Sequence, residues 1–225
     1  MFGLPLAVPL AALSSDITNL APQITSRGWE EITFDDKTPN TYVSCGDNCV
    51  EINTSNSVSM IGMEVGIDLT RTPILSWDWR IENPVIPSDL TTKGRDDRAA
   101  VLFVTFPYNP NTATFSEKMM RPVVELARGP DAPGRVISYV WSGFGKTGDE
   151  VESPYGGASN VMVVCRNKEA PVGAWVSERF NVAADYQRIF GTPPHMVAHV
   201  LLSADSDDTG SANRARVRNI RFNAN

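Results

Sequence analysis

The stretch PILSWDWRI, residues 73–81, decides the fold. Leu75, Trp77, Trp79 and Ile81 alternate with Ser76, Asp78 and Arg80, the period of a β-strand with one buried and one wet face. The sheet that holds it therefore has a sided core. By contrast AAVLFVTF, residues 99–106, is apolar at both parities and predicts a central strand covered on both faces. Working outward, short β-rich runs at 29–34, 41–44, 49–53, 58–65, 135–141, 160–166, 175–181, 196–203 and 214–222 are separated by Gly, Pro, Asn and Asp clusters. Asn181 caps a segment whose Val182, Tyr186, Ile189 and Phe190 share a face, and Gly191, Pro193 and Pro194 stop it. A second helical pattern, Ser116 to Ala127, contains Pro122 and reads equally as a kinked helix or as an excursion between strands. The pattern predicts an all-β, antiparallel β-sandwich of jelly-roll type with one short helix near 182–190. It forms one domain over residues 28–225, with an excursion at 108–128.

Composition agrees and excludes several functions. The chain has 225 residues, of which 42% are hydrophobic and 20% charged; 20 Lys and Arg against 26 Asp and Glu give a net charge of −6. A chain of this size buries on the order of 70% of its unfolded surface and needs no staple in order to fold. Nucleic acid and anionic membranes call for basic stripes, and here the cations are scattered among acids. There is no apolar run of about 20 residues that would cross a bilayer.

Residues 1–15, MFGLPLAVPLAALSS, carry no charged side chain, and the first basic residue is Arg27. Residues 1–27 read as an export-signal remnant, as a strap docked on another protein, or as an edge of the domain's own core. In the strap reading Phe2, Leu4, Leu6, Val8, Leu10 and Leu13 meet the partner, and Pro5 and Pro9 favour an irregular segment over a helix. Cys45 and Cys49 bracket a turn and predict a small structural disulfide in an oxidising compartment, while Cys165 lies in an apolar run.

The motifs exclude more chemistry than they support. SGFGKTG, residues 142–148, lacks the glycine a phosphate loop needs at the position of Val140, so its glycines make a hairpin turn. His195 and His199 fall on a strand, where i and i+4 stand about 13 Å apart, too far to share a metal. Ser203 to Ser211, SADSDDTGS, alternates oxygen donors, and Asp205, Asp207 and Asp208 are candidate ligands of a structural calcium. Tyr139, Trp141 and Tyr155 are candidate stacking rings for a sugar, with Asp96, Asp97 and Arg98 available for its hydroxyls. Loop carboxylates leave a glycan hydrolase or lyase open, with no pair singled out.

An ordered series of segments resembles a bacterial group known as domain of unknown function 3047. The series is WDWR (77–80), KGRDDRAA (93–100), SYVW (138–141), SPY (153–155), NVAADYQRIFG (181–191), ADSDDTGS (204–211) and RVRNIRF (216–222). The resemblance implies an exported β-sandwich of galactose-binding-like character and carries no activity with it. The leading expectation is a non-catalytic extracytoplasmic interaction protein, no enzyme and without a cofactor. It would be a peripheral accessory subunit held by its strap to a membrane-associated protein complex, respiratory or photosynthetic. The alternative is a carbohydrate-binding module, with calcium as its only candidate cofactor.

Overall fold

The computed structural model describes residues 21–224. The chain runs through α1 (Pro22–Thr25), β1 (Glu30–Ile32), β2 (Thr41–Ser44), β3 (Cys49–Ser55), β4 (Met60–Asp68), β5 (Ile74–Ile81) and β6 (Arg98–Phe106). It continues through α2 (Phe115–Arg128), β7 (Arg135–Ser142), β8 (Glu150–Ser153), β9 (Gly157–Arg166), β10 (Val176–Asn181), α3 (Val182–Phe190), β11 (Met196–Ser203) and β12 (Ala212–Asn223). One sheet has seven strands in the order β1-β4-β11-β6-β7-β9-β8, and the other has five in the order β10-β5-β12-β3-β2. Neighbours pair antiparallel except β7 and β9, which run parallel because the chain passes out to the edge strand β8 and turns back between them.

The alternation in β5 is realised as read. Leu75, Trp77, Trp79 and Ile81 face the larger sheet and are buried, and Ser76, Asp78 and Arg80 are only partly covered. Trp77 and Trp79 meet edge to face with centroids 5.3 Å apart, Trp79 packs on Trp141 at 5.6 Å, and Trp77 lies 5.4 Å from Tyr139. The Trp79 indole donates to Glu178 Oε1 at 3.0 Å, and Arg166 donates to the same oxygen at 2.7 Å, so the polar edge of the ring is satisfied at the end of the core.

β6 is the central strand expected of a segment apolar at both parities. Ala100, Leu102, Val104 and Phe106 enter the core between the sheets. Val101 and Phe103 point the other way, into a second apolar cluster with Val140, Met162, Val164, Leu201 and Leu90. The loop that carries Leu90, together with Phe144, roofs one end of the outer face of the larger sheet. Among the described residues the opposite end of that face has no such roof.

α3 begins at Asn181, whose side chain accepts from the Ala184 N–H, and ends at the left-handed Gly191. The excursion contains a second helix, α2, longer than the expected one. Thr114 and Glu117 form a reciprocal capping box at its start. Pro122 costs α2 one backbone bond, to the Lys118 carbonyl, on a side of the helix where water can take its place. Cys45 and Cys49 are disulfide-bonded, and Cys165 is a free buried thiol. Among the described residues no helix is long and apolar enough to cross a membrane.

Candidate functional site

The unroofed end of the larger sheet is the floor of an open groove of about 1020 Å³. Strand register explains its floor. Glu64 on β4 lies opposite His199 on β11, and His199 lies opposite Thr105 on β6, so the three side chains form one cross-strand row. In the next row Glu30 on β1 lies opposite Gly62, and Gly62 opposite Leu201. A methyl group at Gly62 would sit 3.3 Å from Leu201 and 3.5 Å from Ile32, so glycine there keeps the floor low and lets the neighbouring side chains close beneath it.

The Thr105 hydroxyl accepts from the His199 backbone N–H at 3.2 Å and lies 3.2 Å from its Nδ1. A hydroxyl that accepts from the backbone keeps one proton to give and one lone pair to offer, so it can partner Nδ1 in either tautomer of the ring. Burial pushes the imidazole below its ordinary value, and the nearby Glu64 opposes that in part.

The wall is built by α2 and the loop after it. Arg121 donates to the carbonyls of Ala132 at 2.7 Å and Pro130 at 2.6 Å, pairs with Glu125 at 2.7 Å, and lies 4.4 Å over the Tyr108 ring. Gly134 allows the loop to close on β6's exit, since a Cβ there would fall 2.6 Å from Tyr108 Cα. A buried arginine locks α2 to the sandwich: Arg135 grips both oxygens of Glu117 at 2.8 and 2.9 Å and donates to Tyr186 at 3.2 Å. That pairing and the cap hold the Glu117 carboxyl down at about 2 against the opposing effect of its burial.

The residues singled out in the sequence gather elsewhere. Tyr139 and Trp141 are 0% exposed, so no sugar reaches either ring. This corrects their reading as stacking platforms: both belong to the face of β7 that meets Trp77 and Trp79. Tyr155 is partly exposed, but its hydroxyl donates to Asp96 at 3.2 Å and Lys93 stands 4.9 Å over its ring. Asp96, Asp97 and Arg98 do converge with Asp205, Asp207 and Asp208, at a corner where the loop before β6 meets the loop between β11 and β12. Arg98 pairs with Asp205 and, at 3.5 Å, with Asp96. Asp97 accepts from the backbone N–H groups of Asp208 at 3.2 Å and Thr209 at 2.9 Å, and Asp208 accepts from Asp96 N–H at 3.1 Å. Lys37 pairs with Asp207. Burial raises the carboxyls of Asp96 and Asp205 above the usual range, against the pull of Arg98.

The corner therefore joins loops, and most of its polar groups are taken up by one another, the buried Arg98 Nε excepted. The calcium set changes as well. Asp205 is drawn away to Arg98, and the carboxylates that could hold a cation, with ligand atoms within 4.8 Å of one another, are Asp97, Asp207 and Asp208. The expected strap side chains, Phe2, Leu4, Leu6, Val8, Leu10 and Leu13, lie outside the described residues.

Sequence reasoning missed Glu30, Glu64, His199 as a floor residue, Tyr108, Arg121 and Asp131. One signal was available. In β4 the apolar Ile61, Met63, Val65 and Ile67 alternate with Gly62, Glu64, Gly66 and Asp68. A strand whose second face is glycine and carboxylate, in a sheet otherwise apolar on both faces, marks an open floor. The wall gave no signal, because loop and helix residues are assembled only by the tertiary fold.

The chain belongs to the family described as "Protein of unknown function (DUF3047)", which matches residues 27–221. No curated protein matches it. Among solved structures it is similar to the xyloglucanase domain of a type three effector from Sinorhizobium fredii in complex with cellobiose. The TM-score is 0.46 at 11% identity, over 88% of this chain and 95% of that one. An endoglucanase from Rhodothermus marinus gives a TM-score of 0.46 at 9% identity, over 88% and 92% of the two chains. A family 11 carbohydrate-binding module of a Clostridium thermocellum cellulase gives 0.40 at 10% identity, over 88% of each chain. These likenesses are of fold: a two-sheet jelly roll. The expectations of a non-catalytic accessory subunit on a membrane-associated assembly and of a chain that is no enzyme are withdrawn: the structures it is similar to are two glycan-active enzymes and a binding module, a likeness of fold that assigns no activity to this chain.

Proposed function

We propose that the protein binds a glycan chain in the groove on the outer face of the seven-stranded sheet. The observation that carries this reading is the groove itself: about 1020 Å³, open along its length, floored by Glu64, His199 and Glu30 and walled by Tyr108 and Arg121. An open trough with carboxylates and an imidazole along its floor suits a long, hydroxyl-rich ligand, whose hydroxyls donate to carboxylates and accept from N–H groups. The disulfide between Cys45 and Cys49 supports an oxidising, extracytoplasmic place of work.

Electrophoresis of the full chain through gels containing soluble β-glucan, xyloglucan or xylan tests the reading. Retardation by at least one polymer, lost in Glu64→Gln and Tyr108→Ala and retained in Trp141→Phe, supports it. Retardation that ignores both groove substitutions contradicts it.

A second reading, hydrolysis of the bound glycan, is favoured by one placement. Glu30 lies opposite Gly62, and Glu64 is two residues further along the same face of β4. Such diagonal cross-strand neighbours have backbones about 7–8 Å apart, within the span of about 5–10 Å over which two carboxylates cooperate on a glycosidic bond. New reducing ends that appear with the protein and vanish in Glu30→Gln and Glu64→Gln establish it. Binding without any new ends removes it.

A further inference from the structure

The charges along the groove are unevenly paired. Four carboxylates, Glu30, Glu64, Glu125 and Asp131, line it together with two guanidiniums, Arg27 and Arg121. Both guanidiniums are directed into their own chain. Arg27 donates to Gly46 O at 3.0 Å, Cys49 O at 3.4 Å and the Ser44 hydroxyl at 3.4 Å, which clamps it against the disulfide loop. Arg121 holds two carbonyls of the wall, neutralises Glu125 and covers the Tyr108 ring. Glu30, Glu64 and Asp131, by contrast, take part in none of the ion pairs or side-chain hydrogen bonds of the described residues. Burial shifts His199 toward its neutral form, so it does not offset these carboxylates as a fixed cation would. The charge that a ligand meets in the groove is negative.

We propose that the groove selects glycans carrying free amino groups, such as oligomers or polymers of de-N-acetylated hexosamine, over neutral glycans, and excludes polyuronates and sulfated glycans. This inference rests on the glycan reading of the groove. Sugar ammonium groups supply the cations that Glu30, Glu64 and Asp131 lack, each with three N–H donors for the carboxylate it meets. A carboxylated or sulfated chain meets like charges with no free guanidinium among the described lining residues to receive it, which is how repulsion sets specificity. A neutral chain donates hydroxyls to the same carboxylates but brings no charge to balance them.

Calorimetric titration of the full chain at about pH 6, where amino sugars are protonated and carboxylates ionised, tests it. Four oligosaccharides of equal length are compared: a glucosamine oligomer, its fully N-acetylated counterpart, a cello-oligosaccharide and an oligogalacturonate. The glucosamine oligomer is expected to bind at least tenfold tighter than the N-acetylated one, and the oligogalacturonate not at all. In about 0.5 M salt, where screening shortens the reach of charge to a few ångströms, the preference is expected to fall below threefold. The triple variant Glu30→Gln, Glu64→Gln, Asp131→Asn is expected to bind every oligomer more weakly and to lose the preference, with the glucosamine oligomer falling to within threefold of its N-acetylated counterpart. Equal binding of the charged and acetylated oligomers, or tighter binding of the oligogalacturonate, overturns the inference and leaves the groove reading standing. If none of the four binds, the groove reading falls, and the inference falls with it.

Discussion

Two charge-rich regions of the molecule treat their charges in opposite ways. At the corner where the loop before β6 meets the loop between β11 and β12, Asp96, Asp97, Arg98, Asp205 and Asp208 are buried or nearly so, and each has partners from its own chain. In the groove, Glu30, Glu64 and Asp131 stand exposed with no such partner among the described residues. The corner is the more conspicuous in the sequence, because its acids and bases are adjacent in KGRDDRAA and SADSDDTGS. The groove is the more available to a ligand. Adjacency in sequence concentrated charge where the fold uses it to join loops, and the groove is assembled from residues far apart in the chain. A cluster of charges therefore says less about function than whether those charges are already satisfied.

Substitutions that sharpen this contrast are expected to separate stability from binding. The largest effect falls at the corner. Arg98→Ala leaves Asp96 and Asp205 buried without their cation, a loss of about 3–5 kcal/mol in equilibrium urea unfolding at neutral pH. Because burial already raises both carboxyls, their stabilising share is complete below the ordinary carboxylate value and is lost as pH rises through the raised one. The deficit of the variant therefore shrinks as pH falls toward about 4, when the orphaned carboxyls take up protons.

Next comes the lock on α2. Glu117→Gln breaks the paired contact with Arg135 and is expected to cost about 2 kcal/mol at neutral pH. Here the sign is opposite to that at the corner. The Glu117 carboxyl is held down at about 2, so its share of the stability is complete above the ordinary glutamate value and is lost as pH falls toward about 2. Unfolding curves of the variant and the parent are expected to converge in that acid range. Curves that stay parallel break the assignment.

Trp141→Phe should cost about 1 kcal/mol or less in the same assay. The ring stays in the core, and the indole N–H it removes has no hydrogen-bond partner among the described residues. Glycan retardation is expected to be unchanged. The smallest effect on stability, within about 0.5 kcal/mol, belongs to Glu64→Gln, since an exposed side chain without partners holds nothing together. Its effect on binding is the largest. If Glu64→Gln unfolds the protein, or Arg98→Ala abolishes binding in the molecules that remain folded, the contrast between the two regions is broken.

Much of the fold was legible because it depends on period-two burial. PILSWDWRI and AAVLFVTF each show which faces they cover, and the helix after Asn181 shows both its cap and its stop. The strand β8 was not legible and the helix α2 only half so, its pattern at Ser116 to Ala127 reading equally as an excursion, for physical reasons. β8 is an edge strand of four residues, EVES, with little apolar content to betray it. α2 contains Pro122 and turns polar residues toward the domain, where Glu117 and Arg121 find partners, while Phe115, Met119 and Leu126 remain exposed. The site was the least legible part. Tyr139 and Trp141 look like stacking rings in one dimension, and only the pairing of the two sheets places them against Trp77 and Trp79. The groove depends on strand register across β1, β4, β11 and β6, which sequence alternation suggests for each strand but cannot align between strands.

Backbone amide shifts recorded during titration with a soluble glycan oligomer that the gels show to bind test the central claim most directly. Occupation of the groove predicts shifts concentrated at Gly62, Glu64, Ala198, His199, Tyr108 and Ala132, with the loops of the corner silent. Shifts that cluster instead at Asp96, Tyr155 and Asp208, with the groove silent, contradict it.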